Sequence, residues 1–384
     1  MPRHPRQRRS RGDSRVGERF TAEVGPVAHG GHCVIRLPEP DSRVVFTRHA
    51  LPGERVVVEI TEGTEGDRFW RGDAVEILRP SADRVPAPCP VARPGLCGGC
   101  DFQHVTLSRQ RALKADVVRE QLVRLGRLAA DDPVVTDLVV EPVDGDVEGL
   151  RWRTRLRWAT TADGRRGLRR HRSHEVIPVD DCLIARPDAL EPRPGTVVET
   201  VSTDRRGHAF TLAADGFWQV HPGAPRVLVE TVLDLLRPRT GESVLDLYAG
   251  VGLFARFLAD AVGPGARVVA VEGDRRAVAH ARDVLGDAAC VRGGRVDVVL
   301  DELPDEPFDL VVLDPPREGA GRVVVDRVIA RTPRAVAYVA CDPAALARDV
   351  AAFSRHGYRL SALRALDLFP MTHHVECVAL FRAA

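Results

Sequence analysis

The segment VLDLYAGVGLFA, residues 244–255, decides the fold. An apolar strand leads directly into a turn that contains Gly250 and Gly252, and a helix begins after the turn. Glycines at these positions let the backbone approach a bound ligand closely. Glu272 ends the next apolar strand, 20 residues beyond Gly252, where a carboxylate can accept hydrogen bonds from ribose hydroxyls. The segment therefore predicts a nucleoside-containing cofactor at the edge of a Rossmann-like sheet.

Four apolar strands alternate with helical segments in the C-terminal part of the chain, which is typical of a doubly wound parallel sheet. Two further strands follow without a helix between them, so the last strand is expected to run antiparallel. The predicted fold class is α/β, with a mostly parallel Rossmann-like sheet and an antiparallel last strand. The predicted strands are residues 243–248, 267–272, 309–314, 335–341, 359–366 and 375–381.

The N-terminal part of the chain has a different pattern. Short β-type runs between residues 16 and 78, separated by Gly, Pro and Asp, predict a small OB-like β-barrel. A helix is predicted over 107–125, and the alternation in RWRTRLRWA, 151–159, predicts a strand with one basic face, either solvated or facing RNA. The predicted domains are a disordered basic arm at 1–15, the barrel at 16–80, a small central α+β domain with clustered cysteines at 81–216, and the sheet domain at 217–384.

The composition excludes several classes of protein. The 384 residues include 55 basic and 54 acidic side chains, so the net charge does not suggest a general polyanion binder. No apolar stretch approaches the ~18–20 residues of a membrane span, and no signal-peptide core is present. Eight cysteines in a chain of this length do not resemble a secreted disulfide scaffold. We expect a cytoplasmic monomer with no membrane partner.

The run YVACDP, residues 338–343, places a cysteine between an apolar strand and the start of a helix. Asp342 can cap this helix and Pro343 suits its first turn, so Cys341 is expected near the positive end of a helix dipole, where the pKa of a thiol falls. By itself the run leaves two interpretations open, because a cysteine at a strand end is more often an ordinary core residue. The neighbouring motifs decide between them.

Five runs occur, in order over residues 217–380, that resemble the RNA 5-methyluridine methyltransferase family, whose members use S-adenosylmethionine (SAM). They are FWQV, DLYAGVG, DPPREG, YVACDPAALARD and FPMTHHVECVAL. In the barrel region HALPGERVVVEI resembles the TRAM domain, an RNA-binding barrel. The DLxxGxG form of the glycine turn also favours SAM over a nicotinamide cofactor. The resemblance implies that the cofactor is contacted by Gln219, Tyr248, Gly250, Gly252, Glu272 and Asp314.

The resemblance also implies a covalent mechanism. Uracil C5 is a poor nucleophile, so Cys341 would first add as a thiolate to C6 and generate an enolate whose C5 attacks the methyl group of SAM. A general base must then remove the C5 proton before the thiol leaves, and the family pattern places this base on Glu376. Asp314 and Gln219 are implied to lie near the target base as well. Enzymes that methylate exocyclic amino groups commonly have an aromatic residue where this chain has Arg317, which argues against that chemistry.

Topology independently supports a meeting of Cys341 and Glu376. Glu376 begins the antiparallel last strand, and that end shares a sheet edge with the carboxyl ends of the parallel strands. His373 and His374 are adjacent alternatives as bases, which we interpret as loop or substrate-contacting residues.

The chain departs from the family pattern at a few positions. Relatives often have Asn where this chain has His221 and Asp342. At the adenine-side position, usually Asp or Asn, this chain has Arg295. Asp297 or a backbone group is the expected substitute.

A second motif is a set of cysteines. Cys89, Cys97 and Cys100 have the spacing Cx7CxxC, and Cys182 stands where the family supplies a fourth ligand. Four thiolates suit a [4Fe-4S] cluster and, on spacing alone, suit zinc nearly as well. The resemblance favours iron–sulfur, and because the implied chemistry needs no electron transfer, the expected cluster is structural or helps to seat RNA. Ordinary buried thiols are expected at Cys33, Cys290 and Cys377.

The expected substrate is a uridine in RNA that lies in a loop or is flipped out, because a base inside a helix is out of reach of a thiol at a sheet edge. The resemblance favours rRNA over tRNA. Two other functions stay open: a SAM methyltransferase that acts on another RNA atom, for which Cys341 is dispensable, and a catalytically idle iron–sulfur RNA-binding protein. A redox sensor is a third alternative that nothing in the sequence requires.

Overall fold

The structure is a computed structural model that describes residues 12–38, 42–204 and 206–384. Most of the predicted basic arm, residues 1–11, lies outside the described residues. The chain divides into two compact units, and the domain boundaries predicted above stay predictions. Unit 1 comprises Met1–Gln110, Trp158–Cys182 and Met371–His373, and unit 2 comprises Arg111–Arg157, Leu183–Pro370 and His374–Ala384. None of the helices in the described ranges combines the length and apolar character needed to cross a membrane.

Within the described residues the elements follow in chain order. The first group is β1 (Arg19–Ala28), β2 (His32–Arg36), β3 (Val44–Arg48), β4 (Arg55–Glu62), β5 (Trp70–Arg79), α1 (Leu107–Arg124) and α2 (Pro133–Thr136). The second group is β6 (Val140–Pro142), β7 (Arg153–Arg155), β8 (Ala159–Thr160), β9 (Arg166–Arg169), β10 (Val176–Pro178), β11 (Ala185–Leu190), β12 (Thr196–Ser202) and β13 (Gly207–Ala213). The third group is α3 (Ala224–Leu236), β14 (Val244–Leu247), α4 (Leu253–Val262), β15 (Val268–Glu272), α5 (Arg275–Leu285), a 3-10 turn (Gly286–Ala288), β16 (Cys290–Gly293), α6 (Val296–Glu302), β17 (Leu310–Leu313), α7 (Gly321–Ala330), β18 (Ala335–Ala340), α8 (Pro343–Ser354), β19 (Tyr358–Asp367) and β20 (Glu376–Ala383).

Strands β1 to β5 of unit 1 close into a barrel in the order β1-β2-β3-β5-β4. Neighbouring strands are antiparallel except β3 and β5, which run parallel. Alternate side chains point inward because successive residues of a strand face opposite sides. The predicted OB-like barrel is therefore confirmed. Its apolar core includes Ile35, Val45, Val56, Val58 and Trp70.

Unit 2 contains a sheet of order β16-β15-β14-β17-β18-β20-β19-β6. Strands β14 to β18 run parallel, and β20 runs antiparallel to both of its neighbours. The predicted Rossmann-like sheet with an antiparallel last strand is confirmed. The sequence did not indicate the edge strands β16 and β6, because these are only 4 and 3 residues long and carry few apolar side chains.

Side chains of the parallel strands alternate between two apolar clusters, one on each face of the sheet. On β14, for example, Val244 belongs to one cluster and Leu245 to the other. Helices α3, α4 and α5 contribute to the first cluster, whereas α1, α6, α7 and α8 contribute to the second. Burial on both faces explains why these strands read as nearly continuous apolar runs in the sequence.

The segment 151–159 does not form the predicted strand with a basic face. Within it, Arg153–Arg155 and the start of β8 have strand geometry. Arg155 is 6% exposed, and its Nη1 donates to the carbonyls of Ala214 and Gly216, each at 3.2 Å. The prediction was wrong because backbone carbonyls beyond β13 need donors, and a buried guanidinium supplies them.

A buried ion pair fixes the segment that precedes β20. Lys114 of α1, which is 2% exposed, donates to Asp367 Oδ1 at 2.6 Å and to the Phe369 carbonyl at 3.0 Å. Removing one partner of a buried ion pair costs about 3–5 kcal/mol in other proteins, because the remaining charge is left uncompensated. The pair therefore ties α1 to the end of β19.

Candidate active site

The carboxyl edge of the parallel strands in unit 2 brings together most of the residues singled out above. The turn 248–252 follows β14, Glu272 ends β15, Asp314 follows β17 and Cys341 follows β18. Strand β20 begins with Glu376, and its register with β18 pairs Ala340 with Cys377. In this register the residue before Cys377 lies beside the residue after Ala340. Cys341 and Glu376 are therefore neighbours at the sheet edge.

The turn after β14 has a backbone that leaves room for a ligand. Gly250 and Gly252 have φ angles of +56° and +88°, and Tyr248 has +63°, a region where residues other than glycine are uncommon. Glu272 holds this turn: its Oε2 accepts from the N–H of Gly250 at 2.8 Å, and its Oε1 accepts from the N–H of Asp274 at 2.7 Å. A Cβ on Gly250 would meet nothing within 4 Å. The acid expected to bind the cofactor thus also organises the glycine turn.

Asp246, inside β14, caps the following helix from within the sheet. It is fully buried, and its Oδ2 accepts from the N–H of Ala255 in the first turn of α4 at 2.8 Å. Gly252 is the N-cap residue of α4 and has no side chain to cap it, so Asp246 takes this role. Burial raises the pKa of Asp246 to about 8 against the opposing hydrogen bond from Ala255. The sequence placed Asp246 in the strand but did not indicate the cap.

The helix start predicted after Cys341 is confirmed. Asp342 is the N-cap residue of α8, and its carboxylate accepts from the N–H of Ala345 at 2.8 Å. Pro343 occupies the first helical position, where its missing N–H costs no hydrogen bond. Cys341 itself is half-buried at the positive end of this helix.

The predicted fall in the pKa of the Cys341 thiol is wrong. Burial raises this pKa to about 11, Glu376 raises it further, and the positive charge of Arg317 opposes the rise. A helix end contributes a fractional charge, whereas burial next to a carboxyl group disfavours the thiolate more strongly. Thiolate formation at this edge therefore depends on the neighbouring charges.

The carboxyl groups next to Cys341 are also shifted. Glu376 is 4% exposed, and burial raises its pKa well above the ordinary range, with a further rise from Asp314 and an opposing effect of Arg317. Burial, followed by the charge of Glu272, raises the pKa of Asp314 to about 7. Buried acids this close to one another do not all ionise together. The edge therefore holds groups that can exchange protons near neutral pH.

A hydrogen-bond network joins the loop of Asp314 to the helix after Cys341. Asp349 of α8 is buried, and its Oδ2 accepts from the Tyr338 hydroxyl at 2.6 Å and from the N–H of Ala320 at 2.9 Å. Sequence analysis missed this network. The available signal was a carboxylate on the apolar face of α8.

The segment FWQV presents one buried and one exposed aromatic residue. Trp218 is buried, whereas Phe217 is 78% exposed, and Gln219 beside it is half-buried. Exposed aromatic rings are suited to stacking on an unpaired base. Phe217 is a functional candidate that the sequence analysis did not single out, although its two-aromatic motif was a signal.

The two histidines considered as bases have other contacts. In unit 1, His373 Nδ1 lies 2.6 Å from Asp101 Oδ2. In unit 2, His374 Nε2 lies 3.5 Å from Arg317 Nη2, and its ring packs edge-on against Phe369. Both lie in the loop between β19 and β20, as expected.

Arg295 and Asp297 pair with each other on the surface of unit 2. Arg295 precedes α6, is 79% exposed at its side chain, and its Nη2 lies 2.7 Å from Asp297 Oδ2. Arg295 is thus already paired with the carboxylate of Asp297, which was the expected substitute for the adenine contact. A backbone group is the simpler candidate for that contact.

The four cysteines of the predicted metal site all belong to unit 1. Cys89, Cys97 and Cys100 are buried in the loop between β5 and α1, which we call the cysteine loop (residues 80–106), and Cys182 is half-buried. The cysteine loop is hydrogen-bonded to the β9–β10 hairpin, since the N–H of His171 donates to the Leu96 carbonyl at 3.1 Å. This hairpin ends just before Cys182.

The thiols of these four cysteines affect one another's pKa values. Burial raises the pKa of Cys97, with a further rise from Cys89, and burial also raises the pKa of Cys100, with a further rise from Cys182. Two sulfurs accept hydrogen bonds: Cys97 from the N–H of Gly99 at 3.4 Å, and Cys100 from Gln103 Nε2 at 3.2 Å. The four thiols thus influence one another electrostatically, and N–H donors reach two of their sulfurs.

Within the described ranges, no group of three or more His, Cys, Asp or Glu side chains is arranged to hold a single metal ion. The choice between zinc and a [4Fe-4S] cluster therefore stays a prediction. Of the remaining cysteines, Cys33 and Cys377 are buried as expected, whereas the expectation for Cys290 was wrong because it begins the exposed edge strand β16.

Known proteins resemble this chain over most of its length. The tRNA (Uracil-5-)-methyltransferase family model matches residues 295–384, the methyltransferase small domain model matches 223–337, and the TRAM domain model matches 13–75. A Streptomyces avermitilis protein described as an uncharacterized RNA methyltransferase is 45% identical, and the match covers 96% of this chain and 99% of that protein.

Two further matches carry more specific descriptions. The 23S rRNA (uracil(1939)-C(5))-methyltransferase RlmD of Thiobacillus denitrificans is 30% identical, over 92% of this chain and 97% of that protein. The crystal structure of Pyrococcus abyssi tRNA (uracil-54, C5)-methyltransferase in complex with S-adenosyl-L-homocysteine has a TM-score of 0.66, covering 93% of this chain and 99% of that one. Its sequence identity is 21%, so this likeness concerns the fold.

The charges around Cys341 predict opposite effects of two substitutions on its alkylation by iodoacetamide, which reacts with the thiolate. Glu376→Gln removes a negative charge, lowers the pKa of the thiol and is expected to speed alkylation at pH 9 about tenfold, as one pKa unit would. Arg317→Gln removes a positive charge and is expected to slow it roughly threefold. Mass spectrometry of the modified peptides measures both rates.

The exposed Cys290 serves as the control in the same samples, because its alkylation rate is expected to stay constant. Equal rates at Cys341 in the wild-type protein and both variants would contradict the assigned charge environment.

Proposed function

This chain belongs to the family of SAM-dependent RNA (uracil-C5-)-methyltransferases, and we propose that it transfers a methyl group from SAM to C5 of a uridine in RNA through a covalent adduct on Cys341. The observation that carries this proposal is the position of Cys341 beside Glu376, at the same sheet edge as the glycine turn after β14. One substrate can therefore reach the proposed nucleophile, the proposed base and the glycine turn that is proposed to bind the cofactor.

The residues around the glycine turn suit a bound SAM molecule, which supplies an electrophilic methyl group on a sulfonium. The left-handed backbone and the open space at Gly250 allow a close approach of the ligand. The carboxylate oxygens of Glu272 each accept one backbone N–H and keep a further lone pair for a hydroxyl group. The residues proposed to hold SAM are Gln219, Tyr248, Gly250, Gly252, Glu272 and Asp314.

The first step is the addition of the Cys341 thiolate to C6 of the uracil. The sulfur forms a bond to C6, and the electron pair of the C5–C6 double bond moves toward the C4 carbonyl as an enolate. C5 is then nucleophilic and would take the methyl group from the sulfonium, whose C–S bond breaks and leaves its electron pair on sulfur as a neutral thioether. Arg317 favours this step because its charge opposes the rise in the pKa of the thiol.

The second step is the removal of the C5 proton by Glu376. The released electron pair restores the C5–C6 double bond and expels the Cys341 thiolate. The raised pKa of Glu376 makes its carboxylate a strong proton acceptor. Because thiolate and carboxylate repel each other, Glu376 ionises more readily once the sulfur is bound to C6 and neutral. The charge of the thiolate passes to the enolate and is neutralised when the cationic sulfonium gives up its methyl group, so Glu376 reaches its carboxylate form by releasing its own proton to solvent.

Glu376→Gln protein is expected to accumulate a covalent RNA adduct in the presence of SAM, because the methylated intermediate cannot lose its C5 proton. Loss of a general base slows its step by about 10²–10⁴-fold, so the adduct should survive a denaturing gel. Methyl-labelled SAM and mass spectrometry of the linked peptide identify Cys341.

Cys341→Ala is the matched control and should give neither adduct nor methylation. Methylation by Cys341→Ala would point to another RNA atom, and a freely turning over Glu376→Gln enzyme would contradict the assigned base.

We propose rRNA as the substrate in preference to tRNA. The support is the 30% identity over 92% of the chain with a protein described as a 23S rRNA methyltransferase. The solved tRNA enzyme supports the fold alone at 21% identity. The TRAM match places an RNA-binding module in the N-terminal part of the chain, and the exposed Phe217 offers a surface for stacking.

Mapping of 5-methyluridine in total RNA tests the substrate. In deletion cells, one or more rRNA uridines should lose the methyl group while tRNA 5-methyluridine stays constant, and the wild-type gene, but not the Cys341→Ala gene, should restore it. A change confined to tRNA would reject the rRNA assignment. No change in any uridine would reject the proposed function.

We also propose that Cys89, Cys97, Cys100 and Cys182 hold a [4Fe-4S] cluster. The support is a set of four neighbouring thiols with N–H donors directed at two of the sulfurs, which suits sulfur atoms that carry negative charge. The distance of this site in sequence from Cys341 fits a role in structure or RNA seating rather than in methyl transfer.

Anaerobically purified protein is expected to contain iron and acid-labile sulfide in equal amounts and to absorb visible light. Cys97→Ser should lose both and lose stability or RNA affinity, because one thiolate ligand is missing. Cys290→Ser is the matched control and should keep the full cluster. Bound zinc without sulfide in the wild-type protein would reject the cluster.

A further inference from the structure

A buried arginine at the end of β3 has two donor nitrogens without a hydrogen-bond acceptor among the described residues. Arg48 is 4% exposed. Within the part of the chain that the structure describes, neither its Nε nor its Nη2 has a hydrogen-bond acceptor. Buried guanidinium groups are rarely left in this state, because a charged donor removed from water needs compensation. Such a side chain points to a resident group that accepts its hydrogen bonds.

Two contacts within unit 1 fix Arg48 against the cysteine loop. In the barrel, Arg48 is in register with Asp73 of β5, and Asp73 Oδ2 accepts from the N–H of Gly95, between the first two cysteines of the loop, at 3.4 Å. Arg48 Nη2 also lies 3.7 Å from Asp101 Oδ1, in the residue directly after Cys100. Arg48 is thus held beside the segment that carries three of the four cysteines.

The histidines around Arg48 add no positive charge. Burial lowers the pKa of His32 to about 4, that of His49 to about 3 and that of His171 to about 4, and Arg48 lowers each of them further. All three are neutral at pH 7. Among these four side chains, Arg48 therefore carries the positive charge. Because it is 4% exposed, a strand of RNA at the surface is a poor candidate for its acceptor.

We propose that Arg48 donates hydrogen bonds from Nε and Nη2 to the iron–sulfur cluster and serves as its counter-charge. This inference rests on the cluster proposed above. A [4Fe-4S] core with four thiolates carries net negative charge, and hydrogen bonds and charge near its sulfurs set its reduction potential. Arginine suits the role because its charge is permanent and its donors have a fixed geometry. Arg48 is a positioning residue that retains the cluster and raises its potential.

The test compares the anaerobically purified wild-type protein with three variants. Arg48→Gln removes the charge, Arg48→Lys keeps the charge but loses the Nε donor, and Arg71→Gln removes a neighbouring, partly exposed arginine as the matched control. The measurements are the midpoint potential of the cluster by redox titration followed by electron paramagnetic resonance, and the half-life of its visible absorption in air. Iron and sulfide contents are determined for each protein.

Arg48→Gln is expected to lower the equilibrium constant for one-electron reduction about tenfold, which is a shift of about 59 mV to more negative potential. Its cluster should decay several-fold faster in air. Arg48→Lys should keep a midpoint near that of the wild-type protein but lose the cluster faster, and Arg71→Gln should match the wild-type protein in both measurements.

Wild-type values of both potential and half-life in Arg48→Gln would overturn the inference while leaving the cluster in place. If Arg48→Gln does not fold, a wild-type half-life in Arg48→Lys overturns the role of the donors. Wild-type protein without iron and sulfide would instead reject the cluster, so the two failures are distinguishable.

Discussion

The antiparallel pairing of β18 with β20 is the constraint on which the candidate active site depends. The carboxyl ends of parallel strands carry Cys341, Asp314 and the glycine turn, but a base on a neighbouring strand reaches this edge only if that strand begins there. Strand β20 does so because no helix separates it from β19. The Lys114–Asp367 ion pair fixes the end of β19, where the loop that leads to Glu376 begins.

The same pairing concentrates acidic groups, and this explains the main electrostatic property of the edge. Burial raises the pKa values of Asp246 and Asp314 to about 8 and about 7, and it raises those of Glu376 and Cys341 as well. Ionising one group at this edge costs less free energy than ionising two. The Cys341 thiolate and the Glu376 carboxylate therefore disfavour each other at this edge.

In unit 1, too, the fold brings buried charges from distant parts of the chain close together. In the barrel, Arg48 of β3 is in register with Asp73 of β5, and its Nη2 lies 3.7 Å from Asp101 Oδ1 in the cysteine loop. A barrel strand thus brings a buried positive charge beside the cysteine loop. The spacing Cx7CxxC indicated possible ligands, but it contained no sign that a barrel strand contributes to their environment.

The sequence by itself determined the fold class, the barrel, the antiparallel last strand and the helix cap at Asp342, because hydrophobic periodicity and capping are local properties. It also indicated Cys341 and Glu376 through their motifs. Only the tertiary structure decided the pKa of Cys341, the buried role of Arg155, the Asp246 cap on α4 and the burial of Arg48 beside the cysteine loop. Each of these depends on burial and on charges from distant segments, and neither distance nor solvent exclusion is encoded in spacing along the chain.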